Sequence, residues 1–487
     1  MKLENIIENI EYKELANFEN VEISGISYNS KTTQSGDIFI CLVGEHSNGH
    51  DYAQNAVEKG AKAILCEKKL DFNIPQIVVD STRQKIAVVA DNFNQSPSKT
   101  MNLVGVTGTN GKTTVTHLIQ KIQEAKGEKC ALIGTLGYKL SSDDDYKDAK
   151  HTTPQAPELQ ATLKMIKELG IKNVAMEVSS HALEQNRVGG CVFKGAVLTN
   201  LTQDHLDYHI TMDNYFDAKA ILFKGLKKGG FAIINLDDEY AQKFISIIPE
   251  GVKVITYGVK KEADVMAKNV EFSLKGAEFL CDTKEFGAKK VSLHMNGMFS
   301  VYNVLAAICV GLVEGIELED CIRPLESTKG VAGRFEVVCK NPLVIVDYAH
   351  TPDGLENVLK AAREITPQNS DLICLFGCGG DRDATKRPKM GAIAESLSDK
   401  LVITSDNPRS EEPQQIITDI LAGLKSINTQ KVFVEPDRGK AIELLKSISK
   451  ENDIIVIAGK GHEDYQILKD ETIHFDDREE ARRVFSK

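Results

Sequence analysis

The chain has 487 residues, 42% of them hydrophobic and 26% charged, with a formal net charge of −11. That length holds about three domains on a prior of roughly 150 residues each, and the composition is that of a globular protein able to bury a core. The acidic balance argues against a general nucleic-acid surface, which needs clustered Lys and Arg, but leaves room for a local basic pocket.

Met1-Lys2-Leu3-Glu4-Asn5 lacks the basic start and apolar run of a signal peptide. No apolar run reaches the roughly 18 residues of a membrane span. The ten cysteines form no C-x-x-C pair and no zinc spacing, so free thiols in a reducing, cytoplasmic compartment are expected.

Residues 1–98 read as a small α/β domain. Short apolar runs at Ile23–Tyr28, Asp37–Val43, Ala63–Leu65 and Gln76–Val79 predict strands, with a helix near Ala53–Lys59. Asn29-Ser30-Lys31 and Gly44 to Gly49 are polar turns after the first two strands. Asn94-Gln95-Ser96-Pro97-Ser98 has linker composition.

Residues 99–330 open on Leu103-Val104-Gly105-Val106-Thr107, an apolar run feeding Gly108-Thr109-Asn110-Gly111-Lys112-Thr113-Thr114 and an amphipathic segment from Val115 to about Ala125. Strand, glycine turn and helix together make a phosphate cradle, because close backbone N–H groups and the helix N-terminus favour an anion. Lys112 can reach the outer phosphates and the Thr113 hydroxyl is placed for Mg²⁺. The match to G-x-x-x-x-G-K-S/T is imperfect: Val106 stands where the first glycine belongs and Gly105 is one place early. A chance Gly-Lys-Thr turn is the alternative.

Further strands at Cys130–Ile133, Asn173–Val178, Gly195–Thr199 and Phe231–Asn235 alternate with helical patterns, which predicts a parallel sheet covered on both faces. In such sheets ligands sit at the carboxyl ends of strands. Glu177, ending one strand, suits Mg²⁺, although Ser179 or Ser180 could simply cap a helix. Asp204, His205, Asp207 and His209 could hold a metal or be hydrated loop residues. Lys219 lies among apolar neighbours in Tyr215–Phe223, where a snorkelling surface lysine is the plain alternative.

Residues 331–487 repeat the alternation, with strands at Leu343–Asp347, Leu372–Phe376, Leu401–Thr404, Val432–Glu435 and Ile454–Ala458 and a helix at Ala441–Ile448. A separate doubly wound domain is expected. Arg382 and Arg409 follow strands and suit bidentate grip of a carboxylate, although each alone could be a surface ion-pair residue.

With these motifs in hand, TGTNGKTT at 107–114, MEVSSHAL at 176–183, TNLTQDHLDYH at 199–209, DYAHTPD at 347–353, GCGGDRD at 377–383, DNPR at 406–409 and GKGHED at 459–464, the sequence resembles the ATP-dependent Mur ligases over its whole length. Within them it is similar to the branch that adds the third residue of the peptidoglycan stem peptide. The resemblance implies an α/β chain of three domains: a UDP-binding N-terminal domain, a central ATP-binding domain with a P-loop-type parallel sheet, and a Rossmann-like C-terminal domain for the amino acid. It implies that Gly108, Thr109, Asn110, Gly111, Lys112, Thr113 and Thr114 hold ATP, with Asn303, Arg334 and Asp347. Glu177 and His205 would hold Mg²⁺, joined by Thr113 and by Lys219 as a carbamate. Ser30, Glu45, His46 and Ser47 match the uridine side, and His151, Thr152, Thr153, Ser179, Gln185 and Arg187 the muramoyl-dipeptide side. Two positions depart from many relatives: Asn29-Ser30-Lys31 stands for Asp-Ser-Arg, and His151 for Asn.

The implied reaction is ATP-dependent amide formation between UDP-N-acetylmuramoyl-L-Ala-D-Glu and an amino acid, through an acyl phosphate. Arg382, Asp406, Asn407, Pro408, Arg409, Gly459 and Glu463 match the meso-diaminopimelate variant; L-lysine would leave Arg409 unpaired. A monomer is expected. The alternatives are the same ligase using L-lysine, a folylpolyglutamate synthase, and a nucleotide-gated regulatory protein.

Overall fold

The computed structural model describes residues 1–44, 47–147, 151–425 and 430–486. Three large sheets follow one another along the chain, with a two-stranded hairpin, Tyr465–Ile467 and Thr472–His474, near its end. The first has five strands in the spatial order Glu14–Ala16, Gln76–Val78, Ala63–Cys66, Asp37–Ile40, Gly25–Ser27. All pairings are parallel except at the Glu14–Ala16 edge. The three inner strands, Gln76–Val78, Ala63–Cys66 and Asp37–Ile40, are buried throughout, as strands of a doubly covered parallel sheet should be. Helix Thr82–Phe93 starts where the Ser81 side chain accepts from the Gln84 N–H. Its Ala87 and Ala90 pack on Ala156 of the next unit, and small side chains let the two backbones approach.

The second sheet has ten strands. Its parallel centre runs Lys253–Gly258, Phe231–Asn235, Gly195–Leu198, Asn102–Thr107, Asn173–Glu177, Cys130–Gly134. One face is covered by helices Lys112–Ala125 and Met298–Val313 through Val115, Leu118, Ile122, Val304, Leu305 and Ile308. The other is covered by Ala156–Glu168 and Met212–Lys224 through Leu159, Leu163, Phe216 and Phe223. Helix Met298–Val313 is apolar nearly all round because both of its sides are buried.

The expectation of a purely parallel sheet is corrected here. Val265–Ser273, Gly276–Thr283 and Gly287–Ser292 extend one end as an antiparallel ribbon, and Gly137–Lys139 closes the other antiparallel. The ribbon strands are polar on one face, so they lack the apolar runs by which the centre was read. Gly276, at φ +133°, turns the first hairpin; a Cβ there would lie 1.7 Å from the Leu293 carbonyl oxygen.

The third sheet has six strands, ordered Glu336–Lys340, Leu343–Asp347, Ile454–Ala458, Leu372–Phe376, Lys400–Ile403, Val432–Val434. Glu336–Lys340 is an antiparallel edge that the sequence reading lacked. The last of these strands in chain order, Ile454–Ala458, inserts between Leu343–Asp347 and Leu372–Phe376. The polar turns after these three strands therefore emerge side by side, at the place where such sheets bind ligands.

Candidate functional site

Strand Asn102–Thr107 ends in a turn where Gly108 has φ +149° and Gly111 φ +87°. A Cβ on Gly108 would lie 1.8 Å from Thr199 Oγ1, and one on Gly111 2.5 Å from Asn303 Oδ1. Only glycine lets the loop pass this close to its neighbours. Helix Lys112–Ala125 begins without a side-chain cap, so its first N–H groups face the cleft available to an anion. Asn200, whose part sequence reasoning missed, clamps the loop: its Oδ1 accepts from Asn110 N at 2.9 Å and its carbonyl from Thr109 N at 2.9 Å.

Lys112 Nζ curls back to donate to the carbonyls of Gly108 and Thr109, at 2.9 and 2.8 Å. Burial pushes its pKa down, opposed by the carboxylates of Glu177 and Asp204. Lys219, on the helix that starts at the Thr211 cap, also donates to the Gly108 carbonyl at 2.9 Å. It is 1% exposed, which rejects the surface-lysine alternative. Its Nζ sits 4.5 Å over the Tyr215 ring. Burial first, and the Lys112 charge second, hold its pKa well below the ordinary lysine value.

Glu177 ends its strand fully buried beside the loop. Its Oε1 accepts from Thr135 N at 2.9 Å, and its Oε2 from Thr135 Oγ1 at 3.0 Å and Thr113 Oγ1 at 3.1 Å. A Cβ on Gly134 would stand 2.2 Å from Glu177 Oε1, so glycine makes room for the carboxylate. Thr135 was absent from the sequence reading; it belongs to no motif and is found only through the folded contact. Ser179 does cap the next helix, accepting from Ala182 N at 3.2 Å.

His205 sits at φ +54° with Nε2 3.3 Å from Asp204 Oδ2. Burial lowers its pKa to about 4, Asp204 opposing, which leaves a neutral imidazole able to ligate a cation. Among the described residues no cluster of three or more His, Cys, Asp or Glu could hold a metal by itself. The carboxylate of Glu177 and the hydroxyl of Thr113 fit Mg²⁺ as a partner shared with phosphates, the usual arrangement for that ion.

The third unit closes the cleft. Arg334 Nη2 donates to Thr113 Oγ1 at 3.1 Å and its guanidinium lies 4.4 Å over the Tyr348 ring. Asp347 accepts from Phe335 N at 2.6 Å and Ala349 N at 2.7 Å; burial raises its carboxyl to about 6, with Arg334 pulling the other way. Asn110 Nδ2 reaches Asp353 Oδ2 at 2.8 Å across the same boundary. The cleft, about 660 Å³, is lined by Lys112, Glu177, His205, Asn303, Arg334 and Asp347 among others. Tyr348 and Asp353 were quoted within a motif but given no part, because sequence carries no sign of which unit faces which.

Alongside lies a second network. Thr153 Oγ1 donates to the Glu177 carbonyl at 2.9 Å and accepts from Ser179 N at 3.0 Å. Arg187 holds the Thr153 carbonyl at 3.0 Å and Gln185 Oε1 at 2.7 Å, and Thr152 accepts from Thr135 Oγ1. Four of the expected muramoyl-side residues, Thr153, Ser179, Gln185 and Arg187, are thus brought together, with His151 on the exposed rim. Tyr28 from the first unit donates to Glu158 at 2.6 Å beside them. Ser30 is buried and Ser47 exposed in that first unit, while Glu45 and His46 lie outside the described residues.

At the switch edge of the third sheet, Arg382 and Arg409 flank Gly379. A Cβ there would meet Arg409 Nη1 at 2.9 Å and Arg382 Cγ at 3.9 Å. Arg409, at φ +52°, donates to the Gly380 carbonyl at 2.8 Å, and exposed Arg382 to the Asp381 carbonyl at 2.8 Å. Asp406, Asn407 and Pro408 are buried beneath them, and Asn407 Nδ2 donates to Glu463 Oε2 at 2.9 Å. Gly459 at φ +120° leaves space for Asp406. Burial and the Asp406 charge raise the Glu463 carboxyl.

Residues 106–311 match the family described as the Mur ligase middle domain, residues 333–461 the Mur ligase glutamate ligase domain, and residues 22–100 the Mur ligase family catalytic domain. The UDP-N-acetylmuramoyl-L-alanyl-D-glutamate–2,6-diaminopimelate ligase of Bacillus cereus is 42% identical over 494 aligned positions, covering 100% of this chain and 99% of its own. A solved structure of a ligase bearing the same name superposes with a TM-score of 0.71 at 33% identity, over 100% of this chain and 99% of the other. The fold is also that of the MurF ligase of Thermotoga maritima in complex with ADP, at TM-score 0.66 and 18% identity, over 96% and 98% of the two chains.

Proposed function

The chain belongs to the Mur ligase family, and from that premise we propose that it joins meso-diaminopimelate to UDP-N-acetylmuramoyl-L-alanyl-D-glutamate at the expense of ATP, in peptidoglycan precursor synthesis. The observation that carries the reading is the Arg334–Thr113–Glu177 chain of hydrogen bonds. It ties the third unit to the glycine loop, which supports a nucleotide site shared by the two, as an enzyme that couples ATP to an amino acid held by that unit requires.

In the proposed reaction ATP lies along Gly108 to Thr114, with Asn303, Arg334 and Asp347 at its sides. Arg187, Gln185, Ser179, Thr152 and Thr153, with His151 at the rim, hold the muramoyl dipeptide; Ser30, Glu45, His46 and Ser47 take the uridine end. An oxygen of the terminal glutamate carboxylate attacks the γ-phosphorus and ADP leaves, giving an acyl phosphate. The amine of diaminopimelate then attacks the acyl carbon, phosphate departs, and the nitrogen gives up a proton to leave the amide. Lys112 and Arg334 meet the negative charge on the transferring group. Thr113, Glu177 and His205 would hold Mg²⁺, which would supply further charge neutralisation. Burial and the Lys112 charge favour the neutral amine of Lys219, the form that reacts with CO₂, and a carbamate there would give the ion one more oxygen donor. Closure of the third unit keeps water from the acyl phosphate.

Arg382 and Arg409 would bind the distal carboxylate of diaminopimelate, and Asp406, Asn407 and Glu463 its distal ammonium, with Pro408 and Gly459 shaping the pocket. L-Lysine offers no carboxylate there and would leave a guanidinium unpaired. The cleft is completed within one chain, so the working unit is expected to be the 53.6 kDa monomer, checked by light scattering. Among the described residues no helix is long and apolar enough to cross a membrane, in keeping with a cytoplasmic enzyme.

The test is phosphate release with ATP, Mg²⁺ and UDP-N-acetylmuramoyl-L-Ala-D-Glu, comparing meso-diaminopimelate with L-lysine. Strong preference for diaminopimelate is expected. Preference for lysine would keep the ligase and overturn the arginine argument. ATP binding without turnover on either amino acid would favour a nucleotide-gated regulator.

A further inference from the structure

Lys460 follows strand Ile454–Ala458 in the turn Gly459-Lys460-Gly461 and is fully buried. Its Nζ donates to Asn407 Oδ1 at 3.1 Å and Glu463 Oε2 at 3.4 Å, stands 3.8 Å from Asp406 Oδ1, and lies 5.6 Å from the centre of the Tyr465 ring. An ammonium taken fully out of water persists only when acceptors surround it. Here every acceptor side chain belongs to the group assigned above to the amino acid.

The Asn407 amide is the key to what this cation does. Its Oδ1 receives both Lys460 Nζ and the Ile467 N–H, the latter at 2.9 Å. Two donors on one side fix which end of the amide is oxygen, and Nδ2 is thereby turned onto Glu463 Oε2. That same Glu463 oxygen takes Lys460. Its other oxygen, Oε1, lies at the edge of bonding range, 3.5 Å, from the Tyr348 hydroxyl. Lys460 also stands between Glu463 and Asp406, two carboxylates whose mutual repulsion would otherwise favour protonation of one.

We propose that Lys460 is a positioning residue for the incoming amino acid, setting Asp406, Asn407 and Glu463 into one anionic grip that, beside Arg409, fits a substrate end carrying both an ammonium and a carboxylate. Two carboxylates and one buried ammonium leave a net single negative charge, the complement of one substrate ammonium. The inference rests on the diaminopimelate reading and adds to it a residue that touches no substrate.

The experiment is steady-state kinetics of Lys460→Met and Lys460→Arg, varying each of the three substrates in turn and replacing diaminopimelate by L-lysine. Wild-type turnover of diaminopimelate is the control; its failure would sink the proposed function, whereas the outcomes below bear on Lys460 alone. Loss of a charge-assisted hydrogen bond corresponds to about tenfold or more in binding. Lys460→Met is therefore expected to raise the KM for diaminopimelate about tenfold or more, with the KM values for ATP and the UDP-linked dipeptide unmoved and kcat changed far less. An unchanged KM for diaminopimelate, or an equal loss in all three substrates by a folded variant, would overturn the assignment. Should Lys460→Met not fold, Lys460→Arg decides: retained charge is expected to preserve discrimination against L-lysine, and lost discrimination would refute the role.

Discussion

Asp477→Ala tests the ion pair that underlies the amino-acid edge. Arg438 and Asp477 are both essentially inaccessible to solvent, joined by Nε–Oδ1 and Nη2–Oδ2 contacts of 2.7 Å each. The remaining donors of Arg438 hold the Ser405 carbonyl at 3.1 Å and the Ala458 carbonyl at 3.0 Å. Those carbonyls precede Asp406 and Gly459, so the pair ties the last helix, Asp477–Phe485, to two turns of the proposed site. Removing Asp477 strands a buried guanidinium, which costs about 3–5 kcal/mol, whereas an exposed pair is worth about 0–1 kcal/mol. The chain has no tryptophan, so urea unfolding followed by far-ultraviolet circular dichroism is the suitable assay. Arg438→Met/Asp477→Leu, which removes both charges, is expected to be more stable than Asp477→Ala alone. A loss below about 1 kcal/mol for Asp477→Ala, or a double variant worse than the single one, would refute the reasoning.

Lys219→Ala is expected to lower kcat by about a hundredfold or more, the scale of losing one preorganised electrostatic group, with partial rescue by a small carboxylate; full activity without rescue would refute its role. Arg409→Lys should raise the KM for diaminopimelate about tenfold or more, because a point charge cannot reproduce the fork; competition kinetics against L-lysine measure it. Far from the cleft, burial lifts the Glu314 carboxyl from 4.5 to about 7, partly offset by a hydrogen bond from Gln123. Between those two pH values the folded state holds a proton that the unfolded state has lost, so this residue's contribution to stability falls as pH rises across that window. Glu314→Gln removes the titration and should gain about 3 kcal/mol at pH 8 relative to its effect at pH 4, read by denaturation at both; an equal effect at the two pH values would contradict it.

The parallel strands were legible because burial on both faces demands continuous apolar residues, and Phe231–Asn235, Leu343–Asp347, Leu372–Phe376 and Ile454–Ala458 begin and end where those runs do. The antiparallel ribbon from Val265 to Ser292 was not, since a half-exposed strand mixes polar and apolar residues as a loop does. At the site, the glycine turn announced itself through residues whose conformations only glycine adopts easily. Lys219 illustrates the limit: its helix was visible, but only the packed structure takes its ammonium to the Gly108 carbonyl. Thr135 and Lys460 draw their importance from partners 42 and 53 residues away, Glu177 and Asn407, and such pairings leave no local trace.

The ribbon that escaped the sequence reading has a colloidal consequence. A ten-stranded open sheet ends in unpaired backbone groups, a template on which a second molecule could add a strand. Its outermost strand, Gly287–Ser292, places Lys289 and Lys290 at that border, paired with Glu319 and Glu278. At the opposite border, Gly137–Lys139 is only three residues long. One margin is guarded by charge and the other by brevity, so the widest sheet of the molecule is a poor seed for fibrils.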